Sequence, residues 1–402
     1  MNNEKRNKAI DYAFVVLTTI VFTFYCFELV LLHYNQTQYP ITGMYESDLF
    51  AHIEMALDGW GYSILAVIFR LLSFLPTFAF NLSIAAFLCI CEAATIAVTY
   101  IFIRTKGLGL KTSIALTAFS AFVMPMFVRS IQQYRYIGYQ SPSIWHNSTY
   151  IVMKLCAFIC ICLYLSIAGN YHEKIKASDL AVFSVLLAVT TSVKTNFILV
   201  FAPVALIFLI VDLILKVPFK RILFCALTVI PSIAVILFQE IVLFGKDTGN
   251  GIIIDPLYSV YLRAEKPYFT MILSAAFPVF VLLVNIVPVL KDTIADFKEK
   301  RKTLTHRAFL LAWAMWAVGF AELILLRETG ARELDDNFAW GYDFCLFVLF
   351  VISLIYFIKN IKNKKVLTTI YAVVGSAMIA YHTYCGIYFF VNLTRGLTFF
   401  MQ

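Results

Sequence analysis

Four polar clusters interrupt an otherwise apolar chain, and each holds side chains suited to proton transfer or to binding an anion. The first runs from Tyr45 to Gly59. Apolar residues at 49, 50, 53, 56 and 57 fit one face of a helix, with Ser47 placed to cap it and Gly59 to end it. Asp48 and His52 then stand one turn apart on the polar side. Such a carboxylate suits a general base acting on a hydroxyl, with His52 orienting it or binding a phosphate and Glu46 within reach of a substrate. Asp48, Glu46 and His52 together could also hold a divalent cation, although no metal spacing stands out. The same pattern describes a solvated amphipathic helix lying at a membrane surface.

The second cluster spans Gly138 to Tyr150. Trp145, His146 and Asn147 combine a stacking ring with hydrogen-bonding groups, while Ser148 and Thr149 would open a helix whose dipole favours anions. Interfacial aromatics and a simple Asn147 or Ser148 cap are the plainer alternative. The third cluster, Ser192 to Asn196, holds Lys194 and Asn196. A lysine there needs a partner such as a lipid phosphate, unless it snorkels to the headgroups. In the fourth, Arg327 and Arg332 could clamp a phosphate bidentately, and Asn337 and Trp340 could contact a sugar. A self-paired surface loop would use the same residues. Glu92, Glu240 and Glu322, inside apolar runs, are expected to face the bundle interior, and Lys154 to find a partner.

The elements that must position these residues are membrane helices. Of the 402 residues, 61% are hydrophobic and 14% charged, with a mean hydropathy of +0.83. Soluble domains carry about 25% charged residues. Counting runs of roughly 20 apolar residues yields about eleven spans: 12–33, 81–103, 112–128, 148–169, 179–196, 197–215, 222–244, 268–290, 308–326, 342–358 and 366–392. Arg70 and Pro76 interrupt 61–80, which reads as an interfacial or re-entrant helix. The fold class expected is thus an all-α polytopic membrane protein, residues 1–402 forming one integral membrane domain with 34–80 as its first extracytoplasmic loop. Met1 to Lys8 is basic and precedes a run long enough to span, so it reads as a signal anchor.

Basic residues cluster in short loops, notably 291–307 and 359–365, which places the N-terminus in the cytoplasm and the C-terminus outside. All four polar clusters then fall on the extracytoplasmic face. The net charge of +8 is scattered between apolar runs, which argues for lipid headgroups as neighbours and against nucleic acid. The nine cysteines lie in or near apolar runs and read as small hydrophobes.

An acidic residue on a short helix directly after the first span resembles the GT-C superfamily of membrane glycosyltransferases. The resemblance covers the topology of the N-terminal half and Asp48. It implies a catalytic or acceptor-binding role for Asp48, a polyprenyl-phosphate-linked sugar as donor, and a cell-envelope glycan or lipid-linked acceptor. No P-loop, dinucleotide fingerprint, zinc motif or nucleophile elbow is present. The expectation is extracytoplasmic sugar transfer at the cytoplasmic membrane of a bacterium. A lipid-linked polysaccharide polymerase or ligase, and a transporter or flippase using intramembrane acids, are the alternatives.

Overall fold

The computed structural model describes residues 3–59, 61–137, 140–244, 249–361 and 366–398. Met1, Gly138, Lys362, Lys364 and Lys365, which entered the sequence reading, lie outside them. The first half contains α1 (Asn3–Gln36), α2 (Tyr39–Thr42), α3 (Asp48–Leu57), α4 (Ile64–Leu72), α5 (Thr77–Thr105), α6 (Leu110–Ala121), α7 (Ser148–Asn170) and α8 (Ala177–Val193). Next come α9 (Asn196–Ile214), α10 (Phe219–Leu227), α11 (Ile230–Phe244), β1 (Gly251–Ile254), α12 (Tyr258–Arg263), α13 (Pro267–Ser274) and α14 (Ala276–Lys298). The chain continues with α15 (Arg307–Leu325), β2 (Leu326–Thr329), α16 (Ala339–Ile361) and α17 (Val366–Leu393).

Among the described residues, nine helices are long and apolar enough to cross a membrane, with α10 and α11 counting as one, Phe219–Leu243. Two expected spans come out shorter. The run 179–196 is realised as α8, at 17 residues. The run 112–128 is realised only as α6, whose 12 residues extend about 18 Å, well short of a hydrocarbon core of about 30 Å. Pro125 explains the early stop, since proline lacks an amide donor and disfavours helix at the residue before it.

Beyond Ala121 the described residues run as an irregular strap towards α7, and residues 140–147 are buried without forming a long helix. Non-helical backbone at such depth must find its hydrogen bonds within protein. The Met124 amide donates to the His382 carbonyl (3.3 Å), and the Met126 amide to that of Leu273 (3.3 Å). Gly386 permits this approach: a Cβ there would lie 1.7 Å from the Phe122 carbonyl oxygen. Buried side chains hold the strap too. Asp343 accepts from the Ser141 amide (2.9 Å), Lys154 donates to the Pro142 carbonyl (2.9 Å), and Gln36 to that of Trp145 (2.9 Å).

The core centres on α16, buried from Ala339 to Ile355, as expected of a helix apolar on all sides. It packs against α15, α14, α9, α17, α6, α5 and α7. At one end of the bundle β1 and β2 form a two-stranded antiparallel ladder, with Ile252 opposite Glu328 and Ile253 opposite Arg327. The stretch 61–80 contains α4, whose nine residues are too few to cross the hydrocarbon. All nine cysteines are free and at least partly buried.

Candidate functional site

The segment after α1 builds one wall of a cavity of about 490 Å³. Ser47 caps α3 by accepting from the Leu49 amide (3.0 Å), and Leu49, Ile53 and Ala56 bury the apolar face. Asp58 supplies the C-cap, with Gly59 just beyond it at φ +97°. This leaves Asp48 and His52 facing the cavity. The strap docks onto the same turn. The His146 carbonyl accepts from both the Ser47 hydroxyl (2.7 Å) and the Asp48 amide (3.1 Å).

Asp48 is oriented by the strap. Its Oδ2 accepts from Asn147 Nδ2 at 2.7 Å, and among the described residues Oδ1 accepts no hydrogen bond. Asn147 also caps α7, its Oδ1 accepting from the Tyr150 amide (2.8 Å) and the Thr149 hydroxyl (2.7 Å). Ser148 and Thr149, expected to cap, serve elsewhere. Ser148 Oγ pairs with His52 Nδ1 (2.8 Å), and Thr149 Oγ1 accepts from Lys194 Nζ (3.2 Å). The orienting role expected of His52 therefore belongs to Asn147, because the imidazole is turned towards α7.

Lys194 sits in the short link between α8 and α9, its ammonium 4.9 Å from the Trp340 ring centroid. The Asn196 amide donates to the Asn337 carbonyl, tying that link to the loop before α16. In that loop Arg332 pairs with Glu328 (3.1 Å) and Asp335 (3.6 Å), and Asn337 donates to Glu328 (2.6 Å). Asp48, His52, His146, Asn147, Lys194, Asn196, Arg332, Asn337 and Trp340 all line the one cavity.

Three expected contributors lie outside it. Trp145 is 1% exposed, packed against Phe122, Phe389 and Phe390, and its Nε1 donates to Tyr25 (3.0 Å). The stacking ring at the cavity is Trp340 instead. Arg327 bonds Asp255 (2.9 Å) and Glu333 (2.6 Å) and stacks over Tyr258. Successive strand residues point to opposite faces, so once Glu328 turns to the cavity Arg327 turns away. Glu46 accepts from the Thr398 hydroxyl, so Asp48, Glu46 and His52 do not gather as a set of ligands. Among the described residues no three His, Cys, Asp or Glu side chains form a metal-binding group.

The intramembrane acids divide. Glu92 accepts from the Tyr25 hydroxyl (3.1 Å) and, with Lys154, lines a chamber of about 30 Å³. That volume is enough for a water molecule. Glu322 is half-buried, whereas Glu240 is exposed and its neighbour Gln239 points inward, bonding the Tyr62 and Ser192 carbonyls (both 3.0 Å). The sequence also concealed Arg263, which reaches the cavity from α12 and pairs with Asp336 (2.6 Å). A lone arginine ending a six-residue helix carries no periodic signal.

Burial sets the charges. It lowers the His52 imidazole to about 4, against the opposing pull of Asp48. Burial lowers His146 too, with Asp48 and then Glu46 opposing. Both rings are therefore neutral at neutral pH, which removes His52 as a cation for phosphate. Burial brings Lys194 down to about 8, with Asp48 again opposing, so most of it is protonated at neutral pH. Burial also raises the Asp335 carboxyl, opposed by Arg332. The cavity thus sets the Asp48 carboxylate beside two neutral imidazoles, opposite Lys194 and an Arg332 paired with Glu328 and Asp335.

No family model matches the chain, and neither a curated protein nor a solved structure matches it.

Proposed function

We propose that this chain is a membrane glycosyltransferase of the GT-C kind, using a polyprenyl-phosphate-linked sugar as donor. The observation that carries the reading is that Asp48, held by Asn147, shares one cavity with Lys194 and Arg332. Asp48 takes the proton of an acceptor hydroxyl on a cell-envelope glycan or lipid-linked sugar. The freed oxygen attacks the anomeric carbon, and the bond from that carbon to the phosphate oxygen breaks. Lys194 and Arg332 neutralise the departing polyprenyl phosphate. Trp340 and Asn337 hold the sugar, and the apolar flank of Leu199, Leu243 and Ile252 meets the start of the lipid chain. The reaction takes place at the extracytoplasmic face of a bacterial cytoplasmic membrane, the chain crossing eleven times with α6 and the strap as one crossing.

The test is Asp48→Asn in purified, reconstituted protein. Transfer from a polyprenyl-phosphate sugar should vanish while the protein stays folded; unchanged turnover would sink the assignment. Single cysteines at 48 and 194 should be labelled from outside intact cells, and labelling only from the cytoplasm would break the orientation. Glu92, half-buried and lining a small chamber with Lys154, favours a second reading, a transporter. That protein would move an intact substrate across liposomes and lose this activity in Glu92→Gln.

A further inference from the structure

A second cavity, of about 240 Å³, lies between α7, α8, α9 and the break separating α10 from α11. It occupies the opposite end of these helices: Thr149 near the start of α7 lines the polar cavity, whereas Tyr164 to Tyr171 near its end line this one. Ala168, Ala202, Ala205 and Ala226 make the room. The inner wall is buried, Phe201 at 1% and Phe183 at 4% exposure. At the lip Leu206 and Ile233 are 58% and 48% exposed, so the cavity opens sideways through the apolar outer faces of α9 and α11.

An apolar cavity of this kind is not filled by water, and left empty it forfeits dispersion contacts along its walls. A hydrocarbon chain entering from the bilayer restores them. The adjoining loops indicate which lipid carries that chain. Among the described residues of 171–179 and 215–221, Lys174, Lys176, Lys216, Lys220 and Arg221 face only Glu173 and Asp179. Arg221 donates to the Tyr171 carbonyl (2.9 Å), which ties this basic surface to a residue of the cavity wall.

We infer that the cavity binds one acyl chain of an anionic phospholipid whose headgroup is held by Lys174, Lys176 and Lys220. The site is independent of the sugar-transfer reading. Its chemistry joins two ordinary terms, burial of methylenes and attraction of a phosphate to several lysines near the surface.

Native mass spectrometry of the purified full chain tests it, with dioleoyl phosphatidylglycerol or dioleoyl phosphatidylcholine titrated into mild detergent. One phosphatidylglycerol should be retained per chain, about tenfold more tightly than phosphatidylcholine. Ala205→Phe, which fills the cavity, should weaken that retention about tenfold, as expected for excluding two methylenes. The combined K174E, K176E and K220E variant, altered only at exposed positions, should fold and lose the preference between the two lipids. Equal retention of both lipids by the unaltered chain overturns the inference, as does retention unchanged by Ala205→Phe. Should Ala205→Phe fail to fold, the smaller Ala202→Leu is held to the same outcome.

Discussion

The Asn147 amide donates to Asp48 Oδ2 at 2.7 Å across 99 residues of sequence, and the same side chain caps α7 through its Oδ1. One residue therefore couples the start of a membrane helix to the carboxylate proposed as base. Asn147→Ala should lower transfer about tenfold to a hundredfold through a misdirected Asp48. The lost cap should also cost about 1 kcal/mol of stability. Asn147→Ser, which still caps, should recover the stability but not the activity; parallel thermal unfolding and turnover measurements separate the two.

Stability should fall on acidification through His52. Its ordinary value is 6.5 and burial lowers it to about 4, so the unfolded chain binds this proton more readily than the folded one. The contribution is fully present above about 6.5 and is lost as pH drops from there towards about 4. Unfolding midpoints measured across that window should slope less in His52→Gln than in the parent. Equal slopes would mean that the ring is already hydrated in the folded protein.

Lys194 supplies a second pH signature, in binding. With its ammonium brought down to about 8, donor affinity should weaken as pH rises through that value. Lys194→Arg remains charged, so its KM for donor should stay flat over the same range even if its absolute value differs. A parallel rise in both proteins would place the titrating group elsewhere.

Gly386 should tolerate no side chain. In Gly386→Ala the new Cβ would meet the Phe122 carbonyl at 1.7 Å, forcing the strap away from α17. A loss of about 3 kcal/mol or more is expected, at the severe end for single substitutions. Ala at the solvent-open Gly109, where a Cβ meets nothing within 4 Å, is the control.

Asp212 and Arg307 form an ion pair between α9 and α15, almost wholly buried, with the Tyr171 hydroxyl on the second carboxylate oxygen. Arg307→Met should destabilise by about 3–5 kcal/mol, because it leaves a buried charge unpaired. Adding Asp212→Leu should restore much of the loss. A double variant as unstable as the single one would assign the cost to packing and not to charge.

The amino-acid sequence by itself determined what depends on neighbours along the chain. Apolar runs of helical length that face lipid can be satisfied only as helices, since backbone groups in hydrocarbon must bond within their own segment. The cap and apolar spacing of α3 are equally local, which is why Asp48 and His52 could be placed on its polar face from residue types alone. Tertiary structure decided which polar groups meet. Trp145 and Trp340 look alike in sequence, yet one packs under the strap and the other faces the cavity. Arg327 and Arg332 differ because strand alternation gave the cavity side to Glu328. Pro125 ends α6 locally, but the path of the strap beyond it turns on backbone partners at Leu273 and His382, far along the chain. Such choices follow from contacts that close only when distant helices pack, and hydropathy carries no record of them.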